Sequence, residues 1–83
     1  VKSIVLTPNA ARGLDALDPR AREEVADGLY NYAISGRGDV KALSGRQGYR
    51  LRIGRYRVIF DEDQTTILAI YIGKRETTTY RRN

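Results

Sequence analysis

Arginine stands at positions 50, 52, 57 and 75, and tyrosine at 49, 71 and 80. A guanidinium is a planar fork of donors that keeps its charge and matches the oxygens of a phosphate. Arg50 and Arg52 are two residues apart, a spacing that puts both side chains on one face of a strand. Aromatic rings among such cations are how proteins hold unstacked bases over a phosphate track. The chemistry these residues offer is anion binding and stabilisation of negative charge, with nucleic acid as the first partner to consider.

What is missing narrows the chemistry further. The 83 residues include no histidine and no cysteine. That removes the usual zinc ligands, the usual near-neutral acid and base, and any serine or cysteine triad. It also removes any disulfide framework. No apolar stretch has the length of a membrane span or the pattern of a signal peptide, so a cytoplasmic protein with no membrane partner is expected. Hydrophobic residues make up 41%, enough for one modest core, and the expectation is one domain over residues 1–83.

The net charge of +5 is unevenly spread: residues 1–36 carry four basic and five acidic side chains, residues 37–83 eleven and five. The surplus in the second half points to a polyanion: nucleic acid, an acidic protein segment or, third, a membrane surface. Ordinary solubility charge is the alternative.

The elements that position these residues can be read from local signals. Val1 to Leu6 reads as a strand. Thr7-Pro8 and Asp18-Pro19 each read as a helix start, an N-cap followed by proline at the first helical position. Ala10, Leu14 and Leu17 share one face of the first helix. Ala21, Val25, Leu29, Tyr32 and Ala33 form a stripe on the second, which Gly36 ends. The spacing predicts a loop from Arg37 to Gly48. After it the period becomes two. Gly54-Arg55 suits a type II′ hairpin turn, Asp61 to Gln64 a polar turn, and Thr65 to Ile72 the most apolar strand. The expected fold is α+β in the order β-α-α-β-β-β, with a helical hairpin packed on an antiparallel sheet.

With Gly54-Arg55 as the turn, Ile53 pairs with Tyr56, Arg52 with Arg57, Leu51 with Val58 and Arg50 with Ile59. Tyr49, Leu51, Ile53, Tyr56, Val58 and Phe60 then form a core face, where Tyr49 and Tyr56 fill space. The opposite face sets Arg52 against Arg57, a like-charge pair that costs stability. In the last strand Ala69, Tyr71, Gly73 and Arg75 share a parity, which predicts small residues and Arg75 beside the other three arginines. The other account of this face is a solvated surface whose charges discourage edge pairing. Tyr71 is compatible with either role, and Tyr80 lies in a polar tail.

Several short segments carry a family resemblance: Lys41-Ala42-Leu43-Ser44-Gly45, Tyr49-Arg50-Leu51-Arg52, Gly54-Arg55-Tyr56-Arg57-Val58 and Gly73-Lys74-Arg75-Glu76. With the helical hairpin before them, their order resembles the RelE/ParE superfamily of toxins from bacterial toxin–antitoxin systems. It is nearer the RelE type, which has a microbial ribonuclease-like fold. The resemblance implies a metal-independent endoribonuclease, without cofactor, that cleaves mRNA on the ribosome and inhibits translation. The 2′-OH of the substrate attacks the adjacent phosphate. By the same resemblance Arg57, Arg75 and Tyr80 are the catalytic residues, and Arg50, Arg52 and Lys74 bind RNA. In well-known RelE toxins lysines occupy the places of Arg50 and Arg52. An arginine clamps phosphate but does not serve as a base. Tyr80 and Glu76 remain candidates for proton transfer. The implied partners are a cognate antitoxin, the ribosome and mRNA. A ParE-like inhibitor of DNA gyrase is the alternative on the same fold.

Overall fold

The computed structural model describes residues 1–74. Its elements are β1 (Ser3–Leu6), α1 (Pro8–Asp15), α2 (Pro19–Ser35), β2 (Asp39–Ala42), β3 (Tyr49–Ile53), β4 (Tyr56–Glu62) and β5 (Thr66–Lys74). Both helices start as their sequences dictate. The Thr7 hydroxyl accepts from the Ala10 N–H at 3.1 Å, and Asp18 Oδ1 accepts from the Ala21 N–H at 2.8 Å. Each has proline in its first turn, where the missing N–H costs nothing. Gly36 ends α2 in the left-handed region at φ 74°, where a Cβ would be strained.

The five strands lie in the order β1-β5-β4-β3-β2. The β3–β4 register is the one the hairpin turn requires, with Arg52 opposite Arg57 and Leu51 opposite Val58. Gly54 has φ 57° and Arg55 does not have positive φ, as a type II′ turn demands. α2 buries Ala21, Val25, Leu29 and Ala33, a four-residue spacing that makes one stripe. Beneath the helices lie Leu51, Val58, Phe60, Ile67, Ala69 and Ile72, all buried. The Phe60 ring meets Tyr32 edge-on at 5.4 Å and Tyr49 at 5.5 Å, which ties α2 to the sheet centre.

Three features depart from the sequence reading. The segment expected as a loop from Arg37 to Gly48 contains β2, which pairs antiparallel with β3. The sheet is not wholly antiparallel, because β1 runs parallel to β5. In addition, β5 carries an irregularity: Ile59 pairs with Tyr71 but Phe60 pairs with Ala69, so Ile70 is an extra residue. A bulge of this kind shifts the alternation of faces by one. Ala69 and Ile72 are therefore both buried, although the period of two places them on opposite faces.

Candidate anion-binding face

The helices cover one side of the sheet, and the site is built on the other. Opposed residues in a ladder share a face, so the pairings define two rows across four strands. The first row runs Asp39, Arg52, Arg57, Gly73. The second runs Lys41, Arg50, Ile59, Tyr71. Neighbouring strands are about 4.8 Å apart, so the four cations Lys41, Arg50, Arg52 and Arg57 occupy a compact block. β2 contributes one cation and one carboxylate to it.

The charges in the block are not equally free. Arg52 Nε donates to Asp39 Oδ2 at 2.7 Å, with both side chains close to half exposed. Among the described residues this and Lys2–Glu62 are the ion pairs, so Arg50, Arg57 and Lys41 face outward without a carboxylate. Arg57 is half-buried, and its Nε is shielded from solvent with no hydrogen-bond partner among the described residues. A buried donor left unmade costs about 1–3 kcal/mol.

Tyr71 belongs to the same face. It is exposed, and its ring folds along β5 over Gly73. A Cβ on Gly73 would fall on the Tyr71 hydroxyl and ring carbons. Gly73 is the residue directly across from Arg57. Beyond Tyr71 the face turns apolar, with Ile70, Leu68 and Val5 exposed. A groove of about 560 Å³ lies further along, lined by Val5, Gln47, Asp61, Glu62, Asp63, Thr66 and Leu68. Its lining holds three carboxylates and no cation, which suits an anion less well than the arginine block does.

The residues singled out in the sequence thus divide. Arg50, Arg52 and Arg57 come together on the uncovered face. Lys74 does not join them: it pairs with Tyr56, on the helix side of the sheet, and is exposed there. Ala69 lies in the core rather than beside the arginines. Arg75, Glu76 and Tyr80 lie outside the described residues. The sequence reading missed Asp39 as the partner of Arg52. Once β2 is known, the signal is plain, since an acid placed opposite an arginine in a ladder is a favourable pair.

A second polar cluster lies on the helix side. Glu62 accepts from Lys2 Nζ at 2.8 Å through Oε1 and from the Tyr32 hydroxyl at 2.8 Å through Oε2. Burial, and then the hydrogen bond and negative charge of Glu62, push the Tyr32 phenol up from near 10 to about 12. These contacts tie β1, α2 and β4 together. Among the described residues, no helix is long and apolar enough to cross a membrane.

No protein-family model matches the chain, and no curated protein sequence does. Solved structures do. A chain of a RelBE toxin–antitoxin complex from Mycobacterium tuberculosis superposes with a TM-score of 0.79 at 24% identity, over 89% of this chain and 98% of that one. A chain of the archaeal RelE–RelB complex from Pyrococcus horikoshii gives 0.75 at 19% identity, over 92% and 97%. A YoeB/ParE toxin from Agrobacterium tumefaciens gives 0.71 at 16% identity, over 89% and 99%. Two helices packed on a five-stranded, mostly antiparallel sheet match the fold of these RelE-like toxin structures.

Proposed function

We propose that the chain is the toxin of a type II toxin–antitoxin system and that the sheet face opposite its helices cleaves mRNA on the ribosome. The observation that carries this reading is the juxtaposition of Arg50, Arg52 and Arg57 on the face opposite the helices, with Arg57 Nε shielded and without a hydrogen-bond partner among the described residues. In the reaction the 2′-OH of the substrate attacks the adjacent phosphorus. The P–O2′ bond forms, the P–O5′ bond breaks, and the proton lost by the 2′-oxygen is balanced by one gained at the 5′-oxygen. The products are a 2′,3′-cyclic phosphate and a 5′-OH. Arg57 stabilises the charge that grows on the phosphorane, as a donor already stripped of water. Arg50 and Arg52 position the backbone. Arg75 is proposed to assist Arg57 and Tyr80 to act in proton transfer or stacking, while Lys74, on the helix side of the sheet, is left out of the site. Placement of the scissile phosphate supplies part of the rate by itself, and the ribosome contributes to it.

The second reading is a ParE-like gyrase inhibitor, favoured by the likeness to a YoeB/ParE toxin. Primer extension on mRNA from cells expressing the chain separates the two. Discrete cuts within translated frames are expected. Intact mRNA together with accumulating gyrase–DNA cleavage complexes would overturn the ribonuclease reading in favour of the other.

The proposed partner is a co-expressed antitoxin, as in the complexes from Mycobacterium tuberculosis and Pyrococcus horikoshii. Its toxin-binding segment is expected to be acidic where it meets Arg50, Arg52 and Arg57. It is also expected to carry an amphipathic helix with apolar anchors.

A further inference from the structure

We infer that Tyr71 is the platform on which an unpaired base of the RNA stacks, so that the nucleotide at the arginine block must be single-stranded. This rests on the reading of the arginine face as an RNA site, and it adds an aromatic positioning residue to that site. Four observations converge on it. Tyr71 is exposed on the same side of the sheet as the arginines, in one row with Arg50 and Lys41. Its ring lies over Gly73, in space that a side chain at that position would take. Its hydroxyl has no hydrogen-bond partner among the described residues. Finally, Tyr71 is the diagonal neighbour of Arg57, since Gly73 is directly across from Arg57 and Tyr71 is two residues further along β5. Diagonal neighbours in a ladder are about 7–8 Å apart, within reach of long side chains.

The second row passes from cations at Lys41 and Arg50 to apolar surface at Ile59 and Tyr71, and Ile70 and Leu68 continue that surface. A nucleotide has the same polarity, a charged phosphate at one end and a flat apolar base at the other. With the phosphate on Arg57 and Arg50, the base falls on Tyr71. A base inside a duplex has both faces already stacked and offers none to the ring. Recognition by stacking is tolerant of sequence, because every base has a π-face. The face therefore selects strandedness, and sequence preference arises elsewhere.

The test is fluorescence anisotropy of the full chain with three RNAs of about eight nucleotides, within the usual range of single-strand sites. They are a single strand, the same sequence as a duplex, and a single strand made abasic throughout. Wild type is expected to bind the single strand at least about tenfold more tightly than the other two. Tyr71→Ala should lose about 5- to 100-fold on the single strand only, the usual effect of removing one stacking ring. Tyr71→Phe should keep wild-type binding, because the ring suffices. Gly73→Ala, with Tyr71 intact, should lose the preference, since its methyl takes the space that the ring occupies. Arg57→Thr should weaken all three RNAs and reduce the salt dependence, which marks a phosphate contact. Equal binding of the abasic and natural strands, or Tyr71→Ala binding like wild type in a folded protein, would overturn the assignment. These outcomes are separate from the fate of the ribonuclease reading. Lost base preference with discrete mRNA cuts sinks the platform alone. Intact preference without cuts sinks the ribonuclease alone and supports the platform.

Discussion

Arg52 is held between a partner and a rival: its Nε donates to Asp39 Oδ2 at 2.7 Å, and directly across the other ladder stands Arg57. The carboxylate on β2 offsets part of the repulsion between the two arginines, so the cationic block can be assembled before any anion arrives. Asp39→Asn removes that offset. Stability is expected to fall by no more than about 1 kcal/mol, because the pair is exposed. RNA affinity is expected to rise as Arg52 becomes free for phosphate. The slope of log affinity against log salt should steepen by about 0.7, the value for one extra contact to a single strand. Anisotropy titrations at several salt concentrations check this, and an unchanged slope would show that Arg52 stays off the RNA.

Arg57→Thr probes the other member of the pair. Its like-charge neighbour and its unpartnered Nε both predict equal or higher stability in the variant, by up to about 1 kcal/mol from the relief of repulsion. Toxicity on expression should disappear. A thermal midpoint well below that of wild type would make Arg57 a structural residue.

Gly13→Ala should damage the site from a distance. The α1 backbone packs so closely on β5 that a Cβ at position 13 would fall on the Ile72 carbonyl. The helix must move away or the strand must bend, at a cost of about 1–3 kcal/mol. Urea unfolding followed by circular dichroism reads the loss. Because Ile72 lies between Tyr71 and Gly73, RNA binding should weaken in the same variant even under conditions where it remains folded.

Tyr32 gives a pH test. An acid whose folded pKa is raised contributes stability that is complete below its unfolded value, near 10. That contribution is lost as pH rises through the folded value, about 12. Urea midpoints of wild type should therefore fall across that window more steeply than those of Tyr32→Phe. The two proteins differ at no other titratable group, so the difference between them isolates Tyr32. Parallel curves would show that the Tyr32–Glu62 hydrogen bond contributes no such linkage.

Much of this molecule is written in short-range signals. Thr7-Pro8 and Asp18-Pro19 start the helices and Gly36 stops the second, because a cap satisfies backbone groups only a few residues away. Gly54-Arg55 closes a hairpin whose register then follows by counting, so the opposition of Arg52 and Arg57 was determined by the sequence itself. What the tertiary structure decided is non-local. β2 spans only Asp39–Ala42, too short for its alternation of Val40 and Ala42 with polar residues to stand out beside glycines; it is a strand because β3 offers it a partner, Leu51 opposite Val40. The parallel docking of β1 on β5 joins segments separated by most of the chain. The extra residue at Ile70 reverses the faces within a strand whose apolar run gives no period to break. That reversal put Ala69 in the core, while Tyr71 and Gly73 remained with the arginines. A strand's outward face depends on which neighbours it pairs with and where the ladder slips. For that reason the arginine pair was legible from the chain alone, whereas its carboxylate Asp39 and the departure of Ala69 from its face required the folded sheet.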